Sequence, residues 1–544
     1  MYRFFRGQTT ERTLLMQKQR RDFLKYATVG AAGALAPIGL GAQAPSSHQA
    51  NGSIYDVRSF GATGDGKTID SPAINKAMET AASAGGGTVL FPTGTYNSFS
   101  IRLKSNVALN LLQGATILAA DTPADHSDGY DPAEPNAPWE SYQDYGHNHW
   151  HNSLLWGENL HDVSIYGHGL IWGKGLSRGT HEEPRAEDPR VGNKTIALKN
   201  CRNVTLSDFS ILKGGHFGIL ATGVDNLIID NLKIDTNRDG MDIDCCKNVR
   251  VSNCSVNSPW DDGICPKSSY ALGYARATEN VTITNCYVSG CYELGTLLDG
   301  TFKKFAADFR VPRTGRIKFG TESNGGFKNI TVSNCVFEGC NGIALESVDG
   351  ALLEDVAFTN ITMRDISGAP IFIRLGSRMR GPQGVPVGDC RRIILSNIVS
   401  YNSGSKYAAI ISGIPDHPIT DLKISDIYLH HQGGGTAEMA ALQPPEDETR
   451  YPDPHMFGEL PAHGFFIRHV NNLELTNVEI AYAAPDARPA FVLDTVTDAD
   501  LFRIKIPSDN HKPAFRLHKV ENFRVFGCSK IKDKEIAAAE SEEF

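Results

Sequence analysis

The chain has no surplus of basic residues. Its 53 Lys and Arg stand against 62 Asp and Glu, a formal net charge of -9, and the acids are spread rather than clustered. No basic stripe exists to neutralise phosphates, so nucleic acid is excluded as an expected partner. Eleven cysteines include no Cys-x-x-Cys pair and no Cys/His metal spacing, so no metal or cofactor is implied. Neither low hydrophobicity nor compositional bias is present: 41% of residues are hydrophobic and 21% charged, which excludes disorder and fibrous repeats.

What is there begins with a targeting segment. Gln19 to Lys25 carries Arg20-Arg21 ahead of the apolar, small-residue run Tyr26 to Ala44, the pattern of a twin-arginine signal with a cleavage site at Ala42-Gln43-Ala44. The run is Gly- and Ala-rich and contains Pro37, a poor permanent membrane span. Export of a folded protein to the periplasm or beyond is expected, with no membrane association after processing.

A short phrase then recurs: a polar residue, alternating aliphatic residues, Asn or Asp, then Cys or an aliphatic residue. It runs Asn203 to Phe209, Asn226 to Leu232, Asn248 to Cys254, Asn280 to Cys286, Asn329 to Cys335, Asp355 to Ile361, Arg392 to Ile398, Asp421 to Ile427 and Asn472 to Val478. Self-similarity at a period of twenty to fifty residues means a solenoid. Apolar residues alternate at period two, so each copy is a strand with one face in a core. Each is too short to bury that face alone, and stacking at roughly 4.8 Å makes one continuous core. Asn, Asp and Gly supply the unusual backbone conformations that turn each coil. No helical period lies between the strands, which argues against a leucine-rich repeat. The expected fold is all-β, a right-handed parallel β-helix.

Cys254, Cys286, Cys335 and Cys528 share one place in the repeat, so they are expected as buried thiols stacked along the core. At most one or two disulfides are expected, Cys245–Cys246 and Cys286–Cys291 being the pairs to inspect. Ser71 as N-cap, Pro72 at the first helical position and apolar residues at helical spacing to Ala82 give a short helix that plugs the N-terminal end. Gly85 to Gly87 ends it and Thr88 to Phe91 begins the first strand. The expected division is a signal peptide over 1–44, a linker over 45–53, the β-helix over 54–530 and a mobile charged tail over 531–544.

Two acidic turns lie on successive coils, Asn237-Arg238-Asp239-Gly240 with Asp242 and Asp244, then Trp260-Asp261-Asp262-Gly263. Asp239 to Asp261 is 22 residues, the compact coil spacing, so the two turns are expected to stack. Asp-Gly and Asp-Asp are also ordinary turn dipeptides. Crowded carboxyls, however, raise one another's pKa, so that one stays protonated while another is ionised. Glycoside hydrolysis needs that pair.

These residues resemble glycoside hydrolase family 28, the polygalacturonases. Asn237 to Gly240 is similar to the family's Asn-Thr-Asp-Gly motif, and Asp261-Asp262 followed by Lys267-Ser268 is similar to its Asp-Asp turn and Lys-Ser. The resemblance extends from Phe60 to Lys67, through Val163 to Gly175, to Phe457 to Pro461. It implies a pectin-degrading hydrolase, with Asp261 the general acid, Asp239 and Asp262 holding and activating water, and inversion at the anomeric carbon.

The departures concern specificity. Where the family has a Gly-His-Gly turn, this chain has Thr314-Gly315-Arg316 before Phe319 to Ser323, with no histidine. Arg316-Ile317-Lys318 spells the family's sugar-carboxylate clamp but lies in the histidine-turn context. The clamp's own place is taken by Ala344-Leu345-Glu346, which puts a negative charge where galacturonate would bind. Arg316 and Lys318 are expected to replace it from the neighbouring coil, and His216 to reach the groove one coil before Asp239. Asn237, Asp242, Lys267, Arg316, Lys318 and His216 are therefore the expected substrate-binding residues.

His147, His149 and His151 alternate on one segment and are read as zinc ligands, sugar contacts or a structural loop. Arg374, Arg378 and Arg380 form a basic cluster, either a solvated loop or an acid-sugar site. The stretch from Tyr270 to Gly315 is expected to be a long loop shaping one end of the groove. The reading is an exported, monomeric, inverting hydrolase of pectic or related plant polysaccharides. Its alternatives are a calcium-dependent polysaccharide lyase and a non-catalytic carbohydrate-binding solenoid.

Overall fold

The computed structural model describes residues 53–180, 183–404, 406–507 and 512–544. The expected signal peptide and the linker up to residue 52 lie outside the described residues. Among the described residues no helix is long and apolar enough to cross a membrane.

The repeat residues form one column of parallel strands, Val107–Leu111, His161–Tyr166, Arg202–Ser207, Asp225–Asp230, Lys247–Ser252 and Thr278–Thr284, each paired with the next. Val204, Leu206, Leu227, Ile229, Val249 and Val251 point inward and are buried. The leading asparagine of each repeat is left-handed, with φ of 54° at Asn203, 54° at Asn226 and 59° at Asn248. Their amides form a ladder: Asn226 Nδ2 donates to Asn203 Oδ1 at 3.0 Å, and Asn329 Nδ2 to Asn280 Oδ1 at 2.8 Å. Asparagine suits both tasks, since it tolerates that conformation and carries a donor and an acceptor.

A second column carries the site. It runs through Leu155–Glu158 and Lys194–Lys199 into β1 (Phe217–Thr222), β2 (Asp239–Asp244) and β3 (Ile264–Lys267). The pairing of Ile264 with Ile317 carries it on to β4 (Lys318–Phe319) and β5 (Ile343–Ser347). β1 and β2 are buried at every position, because excursions from the coils fold over their outer face. Trp150 packs with Phe217 and Leu220. Further along, Met456, Phe457 and Leu460 pack on Phe372, Ile410 and Phe466.

Several expectations need correction. The helix α1 (Ser71–Ser83) is capped by Asp70, whose carboxylate accepts from the Thr63 and Gly64 N–H groups instead of from the helix. Strands Ile54–Asp56 and Asp65–Ile69 precede it, so Thr88 does not begin the first strand. The 270–315 stretch contains strands Thr278–Thr284 and Tyr287–Ser289, leaving a shorter excursion after 289. All eleven cysteines are free, ten of them buried.

The tail is not a mobile one. Lys534–Glu543 pairs antiparallel with Phe515–Phe526, laying Ile536 and Ala539 on the last coil, and Phe544 stacks on Phe515 at 5.1 Å. A solenoid end needs such a cover, and Ile536 and Ala539, three apart, are the residues of this strand that are buried against the last coil.

Candidate active site

Asp239 opens β2 and Asp262 lies just before β3. Asp235 pairs with Asn257, an offset of 22, but Met241 pairs with Ile264, an offset of 23. One extra residue therefore sits in the turn around Pro259, and Asp262, not Asp261, stands on Asp239. The Asp262 N–H donates to Asp239 Oδ1 at 3.2 Å. Gly240 has to be glycine, since a Cβ there would lie 2.3 Å from the Gly263 carbonyl oxygen of the coil above. The Asp261 side chain is pushed outward and is 28% exposed, whereas Asp239 and Asp262 are buried.

Each carboxylate meets a different environment. Arg238 Nε donates to Asp261 Oδ2 at 3.0 Å. Asp262 lies 2.8 Å from Arg316 Nε and 3.2 Å from Lys318 Nζ. Burial acts to raise its carboxyl, but Lys318 and then Arg316 outweigh it and hold the group at about 2. Asp239 is driven the other way, well above the usual carboxylate range, by burial first and then by the charges of Asp261 and Asp242. A carboxyl pushed towards its protonated form and a firmly ionised one thus lie with oxygens within 4.8 Å of each other. That is the division of labour acid–base catalysis requires.

Around them is a closed network of ions. Lys267 Nζ lies 3.2 Å from Glu322 and 3.5 Å from Asp242. His147 presents Nε2 to Asp242 at 3.6 Å and Nδ1 to Glu322 at 3.4 Å. Burial lifts Asp242 to about 6, while Lys267 and His147 outweigh burial at Glu322 and keep it low. Beyond Asp262, Arg316 and Lys318 also face Glu346 at 3.8 and 3.6 Å. Asp453 lies 3.9 Å from Arg316, and Lys318 donates to the Tyr451 hydroxyl at 3.3 Å.

The expected residues Asn237, Asp239, Asp242, Asp261, Asp262, Lys267, Arg316, Lys318 and His216 are thus gathered in one place. His216 Nδ1 lies 2.8 Å from the Arg178 carbonyl oxygen and 3.0 Å from Arg238, and its Nε2 is buried with no hydrogen-bond partner. Burial, then Arg238, keeps its ring neutral. The alternating histidines do not converge. His149 faces Glu140, and His151 faces Glu134 and Glu158, so a three-imidazole zinc site is not formed. Nor is there a basic cluster: Arg374 binds carbonyl oxygens of Gly413 and Glu446, Arg378 pairs with Asp349, and Arg380 with Asp144 and Glu322.

Donor atoms of His147, Asp239 and Asp242, of Asp239, Asp262 and Cys265, and of Glu134, His151 and Glu158 come within ligand distance of one another. In each case a cationic side chain, Lys267, Lys318 or Lys199, already balances a carboxylate. The donor sets therefore do not ask for a metal. Sequence reasoning missed Arg238, Glu322, Tyr451 and Asp453 as site residues. Arg238 and Glu322 sat inside quoted motifs, whereas nothing local marks Tyr451 or Asp453.

Comparison with known proteins finds β-helix and polygalacturonase relatives. Residues 194–381 match the family described as right handed beta helix region, and 54–122 match rhamnogalacturonase A/epimerase, pectate lyase-like. A probable polygalacturonase of Vitis vinifera is 24% identical over 68% of this chain and 73% of its own length. An exopolygalacturonase of Platanus acerifolia is 24% identical over 71% and 93%. Among solved structures, the family 28 exopolygalacturonase of Yersinia enterocolitica has a TM-score of 0.57 at 18% identity, covering 84% of this chain and 78% of that one. The exopolygalacturonase of Thermotoga maritima has 0.55 at 19%, covering 70% and 87%. The fold is a right-handed parallel β-helix.

Proposed function

We propose that this chain, a polygalacturonase-like member of glycoside hydrolase family 28, hydrolyses glycosidic bonds in pectic polysaccharides by acid–base catalysis from Asp239, Asp261 and Asp262. The observation that carries the reading is the stack of Asp239 and Asp262 in register on adjacent coils, with Asp261 beside them at the groove. Carboxyls packed this closely shift one another's pKa, which lets one hold a proton while another is ionised.

The groove favours attack at a chain end. Tyr451 and Asp453 touch Lys318 and Arg316, one coil beyond Asp262, and Arg380 bonds Asp144 from a distant excursion at 2.8 Å. Excursions that meet beside the carboxyls in this way would favour a chain terminus over a chain passing through. Export through a twin-arginine signal, with a monomer acting outside the cytoplasm, completes the proposal.

The test is digestion of polygalacturonan, rhamnogalacturonan and neutral side-chain fractions by wild type and Asp261→Asn, with and without a chelator. Saturated, anomerically inverted monomers or short oligomers released before viscosity falls are expected, unaffected by chelator and abolished by the substitution. Unsaturated, ultraviolet-absorbing products would make the protein a lyase. Binding without turnover would make it a carbohydrate-binding solenoid.

A further inference from the structure

The turn that carries Asp261 borders a second cavity. Between Tyr287–Ser289 and β4 the chain makes an excursion that returns over this turn. The Gly315 N–H donates to the Asp261 carbonyl oxygen at 2.8 Å, and the Thr314 N–H to that of Pro259 at 3.2 Å. Phe305 sets its ring edge-on against Trp260, with 5.7 Å between centroids. Phe305 also lines a cavity of about 310 Å³, together with Lys304, Arg313, Asp365, Asn402 and Gln432. Asn257 pairs with Ser289, Ser289 with Glu338 and Glu338 with Arg364. Asp365 therefore stands three coils beyond the Asp261 turn, roughly 14 Å along the axis at the strand spacing of a sheet.

The charges in this cavity are unevenly satisfied. Lys304 Nζ lies 2.8 Å from Glu338 and 3.8 Å from Asp365, and Asp365 accepts from Asn402 Nδ2 at 2.7 Å. Arg313 is held through its backbone, its carbonyl oxygen accepting from the Ser367 hydroxyl at 3.3 Å. Its half-buried guanidinium has no ion pair and no hydrogen bond among the described residues. A guanidinium presents a planar fork of donors that matches a carboxylate.

Resting on the hydrolase reading above, we propose that this corner cavity is a distal subsite for an acidic sugar, a uronate of the bound polysaccharide whose carboxylate pairs with Arg313. Tyr451 and Asp453 stand over Lys318 and Arg316 on the groove floor, so a chain continuing from Asp261 passes the corner and meets the cavity. Ligand pockets run from about 300 to 1,000 Å³, and one at the lower end suits a single sugar ring. Phe305 offers that ring an apolar face, and the Gln432 and Asn402 amides offer partners to its hydroxyls. Two acids and two cations leave the corner neutral before the sugar binds. On the floor, Arg316 and Lys318 already face Asp262, Glu346 and Asp453, so a uronate is favoured at the corner over the floor.

The experiment compares wild type with Arg313→Gln and Arg313→Lys on di- to hexasaccharides of galacturonate and of rhamnogalacturonan, and on the same oligosaccharides with their carboxyls reduced to alcohols. Arg313 lies outside the acid–base set, so all three enzymes should cleave the shortest substrates alike. On the hexasaccharides a hydrogen bond between charged partners is worth about ten- to a hundredfold. Arg313→Gln should raise KM by that factor with kcat unchanged, and Arg313→Lys should recover part of it. The carboxyl-reduced hexasaccharides should not distinguish the three. An equal KM for wild type and Arg313→Gln on the acidic hexasaccharides overturns the proposal. So does an equal loss at every length, which would mark Arg313 as a support of the Asp261 turn. Calorimetric titration of the acidic hexasaccharides into Asp261→Asn, with and without Arg313→Gln, reads binding without turnover. If wild type cleaves nothing, the hydrolase reading falls alone where this affinity depends on Arg313, and the subsite falls with it where it does not.

Discussion

Replacing Glu346 with glutamine should stabilise the protein at alkaline pH and leave it nearly unchanged in acid. Glu346 is fully buried, neither carboxylate oxygen has a hydrogen-bond partner, and Lys318 and Arg316 stand at 3.6 and 3.8 Å, beyond bonding distance. Burial outweighs those two cations and lifts the carboxyl from 4.5 to about 7. The folded state therefore binds more protons than the unfolded state between those values, and stability falls as pH rises through that window. At about 1.4 kcal/mol per unit the loss is about 3 kcal/mol, complete above pH 7. Glutamine keeps the shape and cannot ionise, so the variant escapes the loss. With an unfolding entropy of about 2.1 cal/mol/K per residue over about 490 residues, that energy corresponds to a Tm about 3 °C higher. Scanning calorimetry at pH 4 and pH 8.5, at several scan rates to expose irreversible steps, reads the difference directly. A gain equal at both pH values, or a lower Tm at pH 8.5, would refute the reasoning by showing that Lys318 and Arg316 need the charge.

Two further outcomes follow from the same structure. Lys318→Met leaves the buried Asp262 with Arg316 alone and should destabilise the protein, by less than the about 3–5 kcal/mol of a buried charge left with no partner. Asp262 stabilises the fold above the unfolded carboxyl pKa of 3.8, and this is lost as pH falls towards about 2. Raising its folded pKa narrows that window, so the acid-unfolding midpoint of this variant, followed by circular dichroism, should move to higher pH. Removing residues 534–544 uncovers Phe515, Val520 and Phe523 on the last coil. The truncated protein should self-associate in gel filtration and bind a hydrophobic dye, and a stable monomer would show that the strand is dispensable as a cap.

How much of this was legible in the sequence depended on what each residue answers to. The coil repeat was readable because its determinants are local: alternating Val, Leu and Ile, and asparagines that take the left-handed turn. Asp239, Asp261 and Asp262 were readable because a solenoid converts sequence spacing into stacking. The register was misjudged by one residue, since a single insertion between Asn257 and Ile264 changes which aspartate stacks while leaving the motif intact. The ion network was not legible. His147, Tyr451 and Asp453 reach the site from excursions whose paths depend on apolar packing far from the aspartates, such as Phe457 on Phe372. The C-terminal strand was read as a loose tail because only Ile536 and Ala539 face the core, too faint a period against its charge.

The same network bears on which sugar lies over Arg316 and Lys318. These two cations already face three carboxylates, Asp262, Glu346 and Asp453. A galacturonate carboxylate placed there is a fourth anion around two cations. At 4 Å and an effective dielectric of 20, each unbalanced charge is worth about 4 kcal/mol. Rhamnose or a methyl-esterified galacturonate brings no such charge, so kcat/KM at pH 8 and low ionic strength should be higher for rhamnogalacturonan or methyl-esterified polygalacturonan than for the demethylated polymer. Glu346 takes up its proton below about pH 7, leaving two anions for two cations, so the discrimination should shrink at pH 5.5. The Glu346→Gln variant should show that smaller discrimination at both pH values. If the demethylated polymer is preferred by wild type at pH 8, Arg316 and Lys318 release their partners to the substrate, and the charge count above does not govern specificity.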